Sequence, residues 1–520
     1  MTAVRAQARI PLAVRLRWSR ADLLAAGLGL PAAVLVGAVA ARAPLLALLA
    51  AVGLALGTLI FLRPAVAGYL LVGLTPLVVG IDRGRVLPVL RPNEALLLLC
   101  GGALLARGCW SLRTGARLRP RPGPIALSLV LMAVFNSVAP ILWMSVRGVP
   151  VTTDDLMYAI VLWKYLALYA VVRASIRSAA EVEVCLWLAM SAAAVVAVVA
   201  ILQSLGLFGV PRLLGVFYAP FGDDARLSDS RGSSTLALPA ATADLMLLNL
   251  GVLAGFWRRH GFRHLVLLPM GGLFVIGTFA SGQFSGAIGL VAAMVTIGLV
   301  SRRADLPAVF GLVGLLAMWL LRPVIAQRLS GFQRVSGLPE SWVGRLHNLR
   351  SYFWPTLFSD HNFLLGVRPS ARVPGPRTLA IPWVWIESGY TWLLWGGGIP
   401  LLVAFLVFVV VAVRGTWRVA QRGDAFGTAA TGALVGVVVV AILMLFDPHI
   451  TYRGSADLLF SLLAMTAAGA AAERAARAAR AATATATQST RRPGADGAGR
   501  LASESFHIVG TARGGNRTHG

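Results

Sequence analysis

Lysine is nearly absent from this chain: of the 47 basic residues among 520, only Lys164 is a lysine and the rest are arginine. Acids are scarce as well, 21 in all, and charged residues make up 13% of the sequence, too few to solvate a globule of this size. With 57% hydrophobic residues and a mean hydropathy of +0.76, the composition excludes a soluble domain and indicates a polytopic membrane protein. The arginine excess reflects the base composition of the gene more than chemistry. The net charge of +26 therefore carries no nucleic-acid reading until the arginines are assigned to a side of the membrane. Cysteine is limited to Cys100, Cys109 and Cys185, all in or beside apolar runs without ligand spacing, so neither a disulfide framework nor a metal site is indicated and a buried apolar role is expected. Acidic metal clusters and phosphate-cradling glycine loops are also missing.

What is present is apolar sequence in segments of about 17 to 25 residues, the length a helix needs to satisfy its own backbone across a bilayer. Such segments lie near 23–41, 44–62, 65–81, 93–106, 124–146, 156–172, 182–205, 238–257, 265–281, 284–301, 306–321, 390–413, 426–446 and 455–472. The fourth is short for a full crossing, and the ninth and tenth, joined by a Gly/Ser turn, can be read as a re-entrant pair. The expectation is an all-α polytopic membrane protein of about 12–14 transmembrane helices, with one large extracytoplasmic loop late in the chain. Five arginines precede Asp22 with no cleavage site before a soluble domain, which reads as a retained signal anchor. Placing the N-terminus inside puts most arginines in inner loops, the positive-inside pattern. The organisation is then a basic cytoplasmic segment over 1–22, about eleven spans within 23–321, a loop over 322–389, about three spans within 390–472, and a cytoplasmic tail over 473–520. The tail begins as an Ala/Arg helix, and its composition from about residue 483 predicts disorder.

The loop breaks the positive-inside pattern. It carries arginines at 322, 328, 334, 345, 350, 368, 372 and 377 against Glu340, Asp360 and Glu387, with His347 and His361 among aromatics. Guanidinium forks on an outer face call for an anion, and the anions there are lipid headgroups and lipid-linked diphosphates. Glu387, at the membrane re-entry, is either a helix-dipole acid or a general base whose partial burial raises its pKa. Lys164 lies within a span and either snorkels or belongs to an intramembrane site, with Asp154 and Asp155 as candidate partners. Gln283 reads as helix-packing glue. Two other outer segments are polar: a lip over 206–237 containing Asp223, Asp224, Arg226, Asp229 and Arg231, and FDPHITYRGS, which holds Asp447, His449, Tyr452 and Arg453.

The order of these parts resembles the O-antigen ligase and polymerase superfamily of bacterial membrane glycosyltransferases. The similarity rests on the late outer loop with Arg345, Trp354 and LLGVRPS around Gly366, then a polar pair opening a helix, nine residues and a glycine: Glu387, Ser388 and Gly398. Ligases typically have histidine at the Glu387 position, and polymerases often an acid, so the residue moves the resemblance toward a polymerase. Leu401 replaces a small residue and Gln283 a common arginine. The segment from Arg231 resembles the family's arginine, small-residue turn and apolar helix.

The resemblance implies a fold like the class C glycosyltransferases and an inverting, metal-independent transfer that needs no cofactor. The donor would be a polyprenyl-diphosphate-linked oligosaccharide and the acceptor a sugar hydroxyl. Arg345 and Arg350, with Arg231 and Arg453 in support, would hold the diphosphate, and Glu387 would be the base with His361 and His347 as rivals. Tyr352, Trp354, Trp383 and Trp385 stack on sugars or form an interfacial belt. The expected location is the bacterial cytoplasmic membrane, with both termini cytoplasmic. Expected partners are membrane lipids, a flippase and a chain-length regulator, and no nucleic acid. The alternatives are a lipid-linked oligosaccharide transporter or flippase, and a non-enzymatic scaffold.

Overall fold

The computed structural model describes residues 41–490 apart from 43, 85, 88–89, 116–121, 219–230, 262–265, 303–304, 323–324, 327–339 and 376–381. In chain order the helices are α1 Pro44–Leu62, α2 Ala65–Val78, α3 Pro92–Arg113, α4 Pro124–Val146, α5 Thr153–Ala159, α6 Val161–Ser175, α7 Ala179–Ser204, α8 Val210–Phe217, α9 Pro239–His260, α10 Leu267–Ala280, α11 Phe284–Ser301 and α12 Asp305–Leu320. The loop region contributes α13 Glu340–Asn348, α14 Trp354–Phe358 and α15 Asn362–Leu365, with strands β1 Arg372–Pro374 and β2 Trp383–Trp385 paired antiparallel. Then come α16 Gly389–Ala420, α17 Ala425–Leu443 and α18 Ser455–Thr490.

Among the described residues, eight helices are long and apolar enough to cross a membrane, taking α5 and α6 as one, and shorter apolar helices accompany them. The chain is an all-α multi-pass membrane protein. Every span expected from residue 44 onward coincides with a helix. The expected first span lies almost wholly outside the described residues, as do Asp223, Asp224, Arg226 and Asp229, and Arg328, Arg334 and Arg377.

Three expectations change. The fourth span is not short: α3 has 22 residues, because its helix continues through the Gly-Cys-Trp segment to Arg113. The ninth and tenth spans pack on different partners, α10 chiefly on α7 and α9 and α11 chiefly on α17, and α10 has 14 residues. Cys100 and Cys185 are buried, but Cys109 is exposed, on a helix whose apolar window is only 11% buried. The last helix runs to Thr490, past residue 483, and its alanine-rich sequence sustains helix without a core.

The centre of the bundle is α9, whose apolar window is entirely buried, against α17, at 83%. Small residues make the contact possible. A Cβ on Gly251 or Gly432 would meet Val435 Cβ at 2.8 Å or Val252 Cγ2 at 2.5 Å, and Gly255 and Gly436 repeat the pattern one turn on. Paired small-xxx-small faces of this kind let two backbones approach in lipid, where no hydrophobic force draws helices together.

The loop is fastened to the bundle by a break in α16. Gly398 has φ 66° and ψ −160°, a conformation open essentially to glycine, and Pro400 follows it. The break frees the Trp395 carbonyl, which accepts from the N–H groups of Val367 at 2.7 Å and Arg368 at 3.3 Å. Charge clamps the same segment. Arg368 forks onto Asp155, wholly buried, with bonds of 2.8 and 2.6 Å; Arg372 pairs with Asp154; and Arg147 donates to Asn362 Oδ1 at 2.5 Å and Val367 O at 2.6 Å. Two of the loop arginines are thus spent on Asp154 and Asp155, which hold the loop rather than Lys164. Asp155→Ala would orphan Arg368 at a cost of about 3–5 kcal/mol, expected as a loss of folded protein in size-exclusion chromatography.

Candidate functional site

A cavity of about 1900 Å³ opens beside the loop. One wall is apolar and follows α3 and α6, from Leu97 and Leu98 to Leu112 along α3 and through Ala167 and Val171 on α6. From Leu97 to Leu112 it extends about 22 Å at 1.5 Å per residue, interrupted by Arg107. The other end is polar and gathers Arg91, Lys164, Arg231, Arg345, Glu387 and Arg453, with Asp447 and Tyr452 beside them.

Helical spacing builds the acid side. Arg345 and Asn348 are three apart on α13 and so share a face, and both reach the carboxylate at the start of α16. Arg345 Nε lies 3.8 Å from Glu387 Oε1, and Asn348 Nδ2 donates to Glu387 Oε2 at 3.2 Å. The same guanidinium holds Asp447 Oδ2 at 2.8 Å and donates to Phe446 O at 3.4 Å. One arginine thereby bridges two carboxylates 60 residues apart in sequence. Burial lifts both Glu387 and Asp447 above the usual carboxylate range, with Arg345 pulling each the other way. A carboxylate raised toward neutrality and facing a cavity is suited to proton transfer.

The cationic side differs in kind. Arg453, just before α18, has no hydrogen-bond or ion-pair partner among the described residues. Burial and the nearby Arg91 depress its pKa to about 10, so an anion there relieves a real cost. Neighbouring cations are already matched: Arg91 with Asp82 at 3.2 Å, Arg83 with Glu94 at 2.9 Å, and Lys164 with Asp457 at 3.6 Å. Lys164 also lies 4.4 Å from the centre of the Tyr165 ring. It does not snorkel but closes an ion pair inside the bundle. Lys164→Met alone would strand Asp457 and destabilise the fold by about 3–5 kcal/mol, whereas adding Asp457→Asn would restore the thermal midpoint in detergent; equal midpoints for the single and double variants would remove the pair.

The structure brings Arg345, Glu387, Arg231, Arg453 and Lys164 to one cavity, together with Gln283. Arg350, His347 and His361 do not reach it. Arg350 and His347 are exposed: His347, two residues from Arg345, points about 160° away from it around an α-helix, and Arg350 lies beyond α13 in the π-helical turn Leu349–Phe353. His361 is exposed in a left-handed turn (φ 58°), with Phe363 as its ring neighbour at 6.3 Å. Sequence reasoning missed Arg91 and the pairing of Asp447 with Arg345. The signal for the second was the short polar stretch FDPHITYRGS between apolar spans. No family model matches the chain, and no curated protein matches it.

Proposed function

We propose that this membrane protein is a metal-independent glycosyltransferase, a cell-surface polysaccharide polymerase or ligase. It would transfer glycan from a polyprenyl-diphosphate donor to an acceptor sugar hydroxyl on the extracytoplasmic face of a bacterial cytoplasmic membrane, alongside a flippase and a chain-length regulator. The observation that carries this reading is a single cavity joining a long, largely apolar wall to a guanidinium with no ion-pair partner among the described residues and a cavity-facing carboxylate of raised pKa. A polyisoprenoid chain fits the wall, a diphosphate fits Arg453, and a sugar hydroxyl fits Glu387. The resemblance to O-antigen polymerases adds to it.

In this scheme the acceptor oxygen attacks the anomeric carbon while its proton passes to Glu387. The bond from that carbon to the phosphate oxygen breaks, its electron pair leaves with the diphosphate, and the anomeric configuration inverts. Arg453, helped by Arg91 and Arg231, stabilises the departing charge. Arg345 is less suited to that task than the sequence suggests, because two carboxylates already surround it. Its role is to balance Asp447 beside Glu387.

The test is product formation by purified protein with a polyprenyl-diphosphate oligosaccharide as sole substrate. Lengthened or transferred glycan is expected, and none with any acceptor would sink the reading. Arg453→Ala should raise the donor KM about tenfold or more, and Arg453→Lys should recover it only in part, since a point charge replaces a bidentate fork. An unchanged KM in both would move the diphosphate elsewhere. A second reading, lipid transport, is favoured by the groove that follows α3 from Leu97 to Leu112 and by the broken α16, since broken helices line transporter sites. Donor movement between leaflets without glycan growth, in the same vesicles, would select it.

A further inference from the structure

Behind the Arg345 acid pair lies a second pair that the transfer scheme does not use. Asp244 on α9 and His449, in the 3-10 turn His449–Thr451, are 0% and 1% exposed, with His449 Nδ1 2.7 Å from Asp244 Oδ2. Their remaining polar atoms, Asp244 Oδ1 and His449 Nε2, are buried without a hydrogen-bond partner. Two apolar side chains would fill this space at lower cost, so packing does not account for the pair.

Its connection is to the cavity. The His449 N–H donates to Asp447 O at 2.7 Å, and the His449 ring lies 4.8 Å from that of Tyr452, which lines the cavity. From α9 the group facing His449 is Asp244. The turn also packs on α17, which carries no titratable side chain, and meets α6 through Tyr165, whose hydroxyl donates to Thr451 O at 2.9 Å. From its own loop come Asp447 and Tyr452, with Arg345 and Glu387 beyond them.

We propose that Asp244 and His449 form a positioning device for Asp447: the buried pair fixes the turn that begins at Asp447 and so holds the Asp447 carboxylate on Arg345, ionised, leaving Glu387 free to take the acceptor's proton. The geometry gives the reason. Arg345 stands 2.8 Å from Asp447 but 3.8 Å from Glu387. If Asp447 gains a proton, Glu387 becomes the only anionic partner left to that guanidinium, and a carboxylate forked by arginine is a poor base. Burial and Asp244 push Asp447 toward protonation, and Arg345 and His449 oppose them.

This inference rests on the transferase reading, so its test has a readout that needs no substrate. The variant is Asp244→Asn/His449→Gln in the full-length chain, which replaces the pair with two amides and strands no charge. A protonated-carboxyl infrared band, identified by its loss in Asp447→Asn, is expected to appear at higher pH in the double variant than in wild type. Glycan transfer at about pH 6 should fall about tenfold, while the rate at about pH 8 stays within about twofold. A band and an acid limb that do not move, with the rate lowered equally at every pH, would assign the pair a purely structural role. Should the double variant not fold, Asp447→Asn alone decides: low transfer at all pH values supports the device, and full activity overturns it. Absence of transfer by wild type would defeat the transferase reading and leave the infrared result standing.

Discussion

Glu387→Gln is expected to lower kcat for glycan transfer by about 10²–10⁴-fold while leaving donor KM within about twofold. Glutamine keeps the shape and still accepts from Asn348, but it cannot take a proton, and in the proposed scheme Arg453, not Glu387, holds the diphosphate. The same substitution should stabilise the protein. Burial raises Glu387 above the ordinary carboxylate range, so between its unfolded and folded pKa values the folded chain holds a proton that the unfolded chain has released. Stability from this group is therefore present at low pH and falls as pH rises through that window. Above it, the variant should show a higher thermal midpoint than wild type, a gain in stability with a loss of activity. Arg345 remains matched by Asp447, so no charge is orphaned. Transfer kinetics and a thermal scan across pH read both effects. An unimpaired rate would overturn Glu387 as the base, and His347 and His361, exposed outside the cavity, would not replace it.

Periodic apolar length carried the starts of the spans to within a few residues, since a bilayer leaves a segment such as 124–146 little choice but helix, but α3 and α16 run on to Arg113 and Ala420, past the apolar stretch that marked them. It also carried Glu387, which stands where polar sequence re-enters an apolar run. The partners of these residues were not legible. Asp244 and His449 are 205 residues apart, and nothing in either local pattern indicates that α9 is the buried centre against which the 449 turn packs. Arg368 and Arg372 looked like anion ligands because loop arginines are alike in sequence. Only the docking of 362–372 on α5 shows that Asp154 and Asp155 already occupy them. The reverse holds for Arg453: it forms no ion pair among the described residues, because the nearby acids Asp82 and Glu94 are taken by Arg91 and Arg83, and that is visible only in three dimensions.

Gly398→Ala is expected to loosen the loop and disable the site together. The position has φ 66° and ψ −160°, which costs a residue with a Cβ about 1–3 kcal/mol in backbone strain alone. The added atom would also stand 2.4 Å from the Leu364 carbonyl oxygen, so either α16 straightens or α15 withdraws. Both outcomes remove the Trp395 carbonyl from Val367 and Arg368. The β1–β2 pair comes directly after these residues in the chain, and the Ile386 N–H is bonded to Ala371 O at 3.0 Å, so the residue before Glu387 is held by the segment that the break anchors. Gly415→Ala is the control: it lies in the regular part of α16, its Cβ would meet only Ile125 Cδ1 at 3.7 Å, and it should be neutral or stabilising by up to about 1 kcal/mol. Limited proteolysis between residues 366 and 387, read beside glycan transfer, separates the two. Faster cleavage with lost transfer in Gly398→Ala alone means the helix break sets the position of the base; wild-type behaviour in both variants means that Glu387 is held by Arg345 and Asn348 without help from the break.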